Sequence, residues 1–320
     1  MKMMEQARAM AAAGRAEAHV ALVEQAAAAG EAEALVELAI WLLDGVNGGR
    51  DVAAAHALLD QAVALGQIEA IRLKATLVGS GTGGPRDPDR AEQLLRRIEK
   101  ADPYAAVQIA SANAMRTAAE TAQLPVELLS QSPEIKAIRG LLAPQECRYI
   151  LWLAEPHLEP SYVLDPRTGH RNPHPVRTSS GMSLGPTAED RVIQLINARL
   201  AQVTGTDPDQ GEPLHVLRYR QGQEYRPHVD VLPGISNPRH WTVLVYLNDG
   251  YAGGATRFDR AGVAFAGREG DALFFRNVDA AGAGDPRTRH AGLPVTEGTK
   301  WLATRWIRER RYHPWEEATW

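Results

Sequence analysis

The stretch Tyr219-Arg220-Gln221-Gly222-Gln223-Glu224-Tyr225-Arg226-Pro227-His228-Val229-Asp230 governs the reading of the second half of the chain. Its polar, glycine-containing centre marks a turn, and 225–230 reads as a strand. His228 and Asp230 are two residues apart, so a strand turns both side chains to one face, roughly 6.5–7 Å apart. An imidazole and a carboxylate placed in this way reach one metal ion. His290, sixty-two residues further on, supplies a second imidazole from another strand. Two histidines and one carboxylate make a facial triad that leaves positions open for other ligands, an arrangement suited to iron(II). His-x-Asp alone is a weak pattern in a chain with ten histidines. His157-Leu158-Glu159 is a rival pair, but it sits between Pro156 and Pro160 at a helix end, where strand geometry does not align its side chains.

Working outward, short strands are expected at 215–219, 225–230, 241–247, 255–258, 272–276 and 301–307, separated by turns rich in glycine, asparagine and aspartate. Helices precede them. Pro144 occupies a first-turn position and opens one helix. Thr187 to Asp190 gives a Thr-x-x-Asp capping signal before the apolar Val192, Ile193, Leu195, Ile196 and Leu200. Helices followed by many strands predict a helix-buttressed β-sandwich or barrel.

The first third reads differently. It is rich in alanine and repeats at a shift of 36 residues, which brings Gly30 onto Gly66, Asp51 onto Asp87, Ala55 onto Ala91 and Leu58-Leu59 onto Leu94-Leu95. Each unit reads as helix, glycine-containing loop, helix. Over about the first 115 residues this resembles the tetratricopeptide-related helical repeats, which implies a partner-binding groove or a stabilising, dimerising cap. The interval 117–133 loses the repeat and reads as a short helix and linker.

Composition sets outer limits. The chain has 320 residues, 44% hydrophobic and 23% charged, with a net charge of −4. There is no basic excess to attract nucleic acid or an anionic membrane. Glu5 and Arg8 interrupt the opening segment, no apolar run reaches bilayer length, and a cytoplasmic protein is expected. Cys147 is the single cysteine, fits a reducing compartment, and lies in an apolar helical pattern that favours inert packing.

Lys300 follows His290 at plus ten. A turn around 294–298 would pair the two strands antiparallel and bring both residues to the same side. A lysine among apolar neighbours is costly unless it meets an anion.

The stretch quoted first, together with Tyr246-Leu247-Asn248, Gly253-Gly254-Ala255-Thr256, Asp271-Ala272-Leu273-Phe274-Phe275, and His290 followed by Lys300-Trp301-Leu302-Ala303-Thr304-Arg305-Trp306, resembles the prolyl 4-hydroxylases. The resemblance covers about 135–307. It implies at 134–320 a double-stranded β-helix (jelly-roll) oxygenase domain with flanking helices; together with the helical repeat (solenoid) domain read at 1–116 and the linker at 117–133, a multidomain α and α+β chain is expected. It also implies iron(II) on His228, Asp230 and His290, with 2-oxoglutarate held by Lys300, Tyr219 and Thr256, O2 as oxidant and ascorbate as reductant. Tyr219 and Thr256 otherwise read as ordinary strand residues. A tyrosine and a threonine hydroxyl can satisfy the carboxylate lone pairs that a single ammonium leaves free. Arg239, Tyr225 and Trp306 fall where the family contacts peptide, and Trp306 reads equally as core.

Two regions depart from the pattern. The stretch 231–238 is shorter than the family's, and 165–180 is polar and proline-rich, as a mobile lid would be, with His170 and His174 as solvated loop residues. The resemblance implies hydroxylation of a substrate C–H bond, foremost a prolyl residue of a peptide or protein, with release of succinate and CO2. The alternatives are the same chemistry on a small molecule or free amino acid with the repeats serving oligomerisation, nucleic-acid dealkylation, and a non-enzymatic binding module. The Lys300 anchor and the lack of a basic patch count against nucleic acid, and an intact metal set counts against the last.

Overall fold

The computed structural model describes residues 3–119, 124–164, 170–231 and 234–315. The chain divides into two compact units, Met1–Thr117 with Pro186–Gln194, and Ala118–Gly185 with Leu195–Trp320. The short stretch Pro186–Gln194, which sequence reading assigned to the second domain, clusters with the helical unit.

In the first unit seven helices follow one another: α1 (Met3–Ala12), α2 (Ala16–Ala28), α3 (Ala32–Asp44), α4 (Val52–Ala64), α5 (Ile68–Ser80), α6 (Pro88–Ile98) and α7 (Pro103–Ala119). Helices α1 to α6 pack as successive neighbours, with the closest pairs α1–α2, α3–α4 and α5–α6. The sequence shift of 36 residues recurs in the caps. Asp51 accepts from the Ala54 N–H and Asp87 from the Arg90 N–H, each at 2.9 Å, satisfying a first-turn donor of α4 and α6. Gly45 and Gly81 end α3 and α5 with φ of 75° and 77°, a left-handed conformation that glycine adopts without a Cβ penalty. Buried alanines such as Ala39, Ala55, Ala62 and Ala91 let these helices approach closely.

The second unit begins with β1 (Val126–Gln131) and β2 (Glu134–Ile138), then α8 (Pro144–Ala154), β3 (Glu159–Pro160), β4 (Tyr162–Leu164), β5 (Arg171–Pro173) and β6 (Ser180–Leu184). Helix α9 (Arg191–Thr204) leads to β7 (Leu214–Arg220), β8 (Tyr225–His228), β9 (Arg239–Tyr246), β10 (Ala252–Gly253), β11 (Thr256–Phe258) and β12 (Val263–Phe265). β13 (Ala272–Arg276), β14 (His290–Gly292), β15 (Val295–Glu297) and β16 (Thr299–Arg308) complete it. A large sheet has the order β1-β2-β13-β9-β16-β7-β6-β3 and a small one the order β12-β11-β14-β8. Their pairings are antiparallel.

One core joins the two sheets. Leu217, Leu244, Tyr246 and Leu302 come from the large sheet, and Phe258 and Phe265 from the small one. Each fully buried side chain of this size contributes roughly 1.5–3 kcal/mol. This layout of two facing antiparallel sheets is consistent with a double-stranded β-helix. Helix α8 packs against β6 and β7. Its N-terminus forms as the sequence predicts, with Pro144 in the first turn and Glu146 accepting from the Ala143 N–H at 2.7 Å. Cys147 is fully buried, in keeping with inert packing.

Three local expectations change. The interval 117–133 is not all helix and linker, because Val126–Gln131 forms β1 at the edge of the large sheet. Helix α9 is capped by Asp190, whose Oδ1 accepts from the N–H groups of Val192 and Ile193 at 3.0 and 3.1 Å, and not by Thr187. His290 and Lys300 are not paired: β14 belongs to the small sheet and β16 to the large one, with β15 between them bound to β10. Among the described residues no helix is long and apolar enough to cross a membrane.

Candidate active site

β8 and β14 are three to four residues long, yet they carry both imidazoles. In their antiparallel register His228 lies directly opposite His290, and the rings approach to 4.3 Å between centroids. Asp230 follows β8 by two residues. Its Oδ1 is 3.5 Å from His228 Nε2, and its Oδ2 is 3.9 Å from His290 Nε2. One ligand atom from each of the three residues falls within 4.8 Å of the others, and among the described residues this is the one such trio of histidine, cysteine or acidic side chains. The rival Glu159 and His157 lie exposed elsewhere.

The chemistry of the donor set fits a divalent metal. His228 Nδ1 donates to the Arg226 carbonyl at 2.9 Å, and His290 Nδ1 donates to the Thr288 carbonyl at 3.0 Å. A carbonyl only accepts, so each Nδ1 carries the proton and each Nε2 lone pair is turned toward Asp230. Burial holds His290 neutral, with its pKa pushed down to about 4. Burial works against the Asp230 carboxylate, but His290, His228 and Arg239 outweigh it and hold its pKa well below the usual carboxylate range. A neutral His290 imidazole and an anionic Asp230 carboxylate are protonation states that suit metal binding.

Lys300 lies in the same cavity, at the start of β16 opposite Tyr219 of β7. It is 2% exposed, and its Nζ donates to the Gly254 carbonyl at 2.6 Å. The ammonium also sits 4.8 Å from the Tyr246 ring and 5.8 Å from the Tyr219 ring. Burial pushes its pKa down to about 7. A buried cation beside one carbonyl and two rings is under-neutralised, as an anion-binding lysine would be before its anion arrives. Gly254 has φ of 64°, and a Cβ there would stand 3.0 Å from Lys300 Cδ, so another residue would be strained and would press on the lysine stem. Thr256 is buried and its hydroxyl is bonded to the Tyr246 hydroxyl at 2.8 Å. Burial raises the pKa of the Tyr219 phenol.

Eight of the nine residues singled out from the sequence line this cavity, including Tyr225 and Trp306. The Tyr225 ring stacks on His228 at 3.5 Å with an interplanar angle of 16°. Arg239 is the exception. Its Nε and a terminal nitrogen donate to the two carboxylate oxygens of the fully buried Glu212 at 2.6 and 2.7 Å, and its guanidinium lies 4.0 Å over Trp306. It stands behind the cavity wall rather than on it.

Sequence reading missed several contributors. Arg177 lines the cavity because its backbone bridges to Tyr225 and its side chain reaches Ser161 at 3.1 Å. It fell within a stretch read only as a lid, of which 165–169 lie outside the described residues. His174 is not a solvated loop residue. It is half-buried, its Nδ1 accepts from the N–H groups of Val176 and Arg177, and its ring meets Tyr225 edge-on at 5.8 Å. Tyr246 was quoted only as part of a motif. The alternation of Thr242, Leu244 and Tyr246 along β9 is the signal that marks them as facing inward.

Comparison with known proteins agrees with this geometry. A profile of the 2OG-Fe(II) oxygenase superfamily matches residues 214–308. Probable prolyl 4-hydroxylase 10 of Arabidopsis thaliana is 35% identical over 211 residues, which cover 58% of this chain and 73% of that protein. Prolyl 4-hydroxylase 1 of the same plant is 37% identical over 205 residues, covering 58% and 72%. The crystal structure of the viral collagen prolyl hydroxylase vCPH from Paramecium Bursaria Chlorella virus-1 aligns with 27% identity and a TM-score of 0.44, over 54% of this chain and 95% of that one. With the histidine–aspartate–histidine trio in place, the chain belongs to the prolyl 4-hydroxylase family of 2OG-Fe(II) oxygenases, and is a dioxygenase dependent on iron(II), 2-oxoglutarate and O2.

Proposed function

We propose that this chain hydroxylates a prolyl residue of a peptide or protein, with the metal on His228, Asp230 and His290. The observation that carries the reading is the convergence of these three ligand atoms in the cavity that also holds the buried Lys300. The named relatives are prolyl 4-hydroxylases, which supports proline as the residue modified. When bound, iron(II) couples oxidative decarboxylation of 2-oxoglutarate, to succinate and CO2, with insertion of oxygen into a substrate C–H bond.

The residues of the chain supply the rest. The Arg226 and Thr288 carbonyls hold the two imidazoles in one tautomer, so neither must reorganise to receive the ion. Lys300 grips the distal carboxylate of 2-oxoglutarate, assisted by the hydroxyls of Thr256 and Tyr219. Tyr225 and Trp306 offer aromatic faces to a prolyl ring, and Arg239 supports Trp306 from behind. Ascorbate serves as an auxiliary reductant. The free, buried Cys147 fits a reducing, cytoplasmic setting.

The helical unit reads as a short repeat solenoid, supported by Asp caps and left-handed glycines that recur 36 residues apart at Asp51 and Asp87 and at Gly45 and Gly81. Its role is partner binding or self-association. The test is to follow succinate release with proline-containing peptides, free amino acids and small molecules, and to search the products for one added oxygen. Peptide-dependent turnover that Asp230→Ala abolishes supports the proposal. Turnover driven only by a small molecule would replace the substrate assignment and leave the metal assignment standing.

A further inference from the structure

Behind Asp230 stands a pair of side chains that the family resemblance leaves without a role. Thr242 and Asn277 are both fully buried. Thr242 Oγ1 donates to Asp230 Oδ2 at 2.6 Å, and Asn277 Nδ2 donates to Thr242 Oγ1 at 2.8 Å. The chemistry fixes the direction of this chain. An ionised carboxylate only accepts, so the single hydroxyl proton points at Asp230 and the hydroxyl lone pairs face Asn277, which must therefore present its N–H. Asn277 is itself held by its backbone: its N–H donates to the His240 carbonyl at 2.8 Å, and its own carbonyl accepts from the Asp285 N–H at 2.9 Å.

The consequence falls on the metal site. One oxygen of Asp230, Oδ2, is claimed by Thr242, while Oδ1 is the oxygen nearer to His228 Nε2. We propose that Thr242 and Asn277 are positioning residues that assign Oδ1 to the metal and keep the Asp230 carboxylate monodentate. A bidentate carboxylate would occupy a further coordination position, one that the co-substrate and O2 need. The inference rests on the reading of His228, Asp230 and His290 as the metal ligands.

The test uses the full chain without 2-oxoglutarate, with Mn(II) as the probe for affinity and Co(II) as the probe for coordination number through its visible absorption. Thr242→Val keeps the shape of the side chain and removes the donor. It is expected to lower Mn(II) affinity by about tenfold or more and to change the Co(II) spectrum, as loss of an outer hydrogen bond to a ligand does. Thr242→Ser restores both. Asn277→Ala lowers affinity in the same direction, and adds nothing in the Thr242→Val background because it acts through that hydroxyl. Wild-type Mn(II) affinity and an unchanged Co(II) spectrum in folded Thr242→Val would overturn the inference, as would full additivity of the two substitutions. If Thr242→Val does not fold, Asn277→Ala decides: reduced affinity supports the relay and wild-type affinity refutes it. His228→Ala, measured alongside, separates the two levels. Loss of metal there with none in Thr242→Val rejects only the relay, whereas retention of metal in His228→Ala rejects the site and the relay together.

Discussion

His228 and His290 occupy opposed positions of the β8–β14 pair, with ring centroids 4.3 Å apart. Two imidazoles so close, each with its Nδ1 proton committed to a backbone carbonyl, leave both Nε2 lone pairs facing Asp230. Metal bound there stabilises the folded state by mass action, about 2.7 kcal/mol at a hundredfold excess over Kd. His228→Ala, Asp230→Ala and His290→Ala are each expected to lose the Mn(II)-dependent rise in Tm and to reduce turnover by at least about a hundredfold. A Tm that still climbs with Mn(II) in all three would place the metal elsewhere.

Glu212 is fully buried and faces two arginines, with Arg239 Nε and Arg308 Nε each 2.6 Å from its Oε1. Removing the shared carboxylate leaves two cations without their buried counter-charge. Glu212→Ala is expected to cost about 3–5 kcal/mol, read from urea denaturation with an unchanged m-value. Glu212→Gln keeps the acceptor and costs less. A loss below about 1 kcal/mol would mean that water or another group already neutralises Arg239 and Arg308.

The trio was legible from residue type and order more than from strand period: the strand expected over 225–230 ends at His228, and Asp230 reaches the same face from the bend that follows it. Where His290 meets that face was not legible from spacing. The expected hairpin between His290 and Lys300 fails because Val295 is drawn into the core, while Gly298, with φ of 72° and a would-be Cβ only 2.6 Å from the Gly250 carbonyl, turns the chain onto the other sheet. The two residues converge across facing sheets instead of along one ladder. β1 escaped notice for a different reason. Val126 and Leu128 are 54% and 57% exposed, so the strand has no inward-facing alternation and takes its register from β2. Arg239 was expected to contact substrate, yet its guanidinium is committed to Glu212, twenty-seven residues away along the chain, and no local pattern announces a buried counter-charge.

Cys147 is fully buried on α8, and burial, followed by the nearby Glu269 and Glu146, pushes its thiol up to about 12. A thiolate is the reactive form, and an ordinary exposed cysteine titrates near 8.5. At pH 8 the folded protein is expected to resist a disulfide-exchange reagent, and one thiol per chain to react in denaturant, since the sequence contains one cysteine. Rapid labelling of the native state, well ahead of global unfolding, would contradict the inert-packing reading.

With Lys300 as the proposed anchor of 2-oxoglutarate, its low pKa would link proton uptake to co-substrate binding. Burial lowers its pKa from 10.5 to about 7 in the free protein. In the unfolded chain the lysine keeps its proton up to its ordinary pKa. Between pH 7 and 10.5 the unfolded state therefore binds more protons than the folded one, and the Lys300 contribution to stability rises with pH across that window. A carboxylate beside the amine favours the charged form and reverses the shift. Binding of 2-oxoglutarate to the Mn(II)-loaded protein should take up about half a proton at pH 7 and about nine-tenths at pH 8. Titration calorimetry in buffers of different ionisation enthalpy reads this directly. Lys300→Arg remains charged and should bind without uptake, if it binds at all in so tight a site. Lys300→Met should lose 2-oxoglutarate binding yet raise the Tm of the free protein, because each pKa unit of depression corresponds to about 1.4 kcal/mol of penalty that the substitution removes. Calorimetric enthalpies independent of buffer at pH 8 would show that the lysine is already charged before the co-substrate arrives.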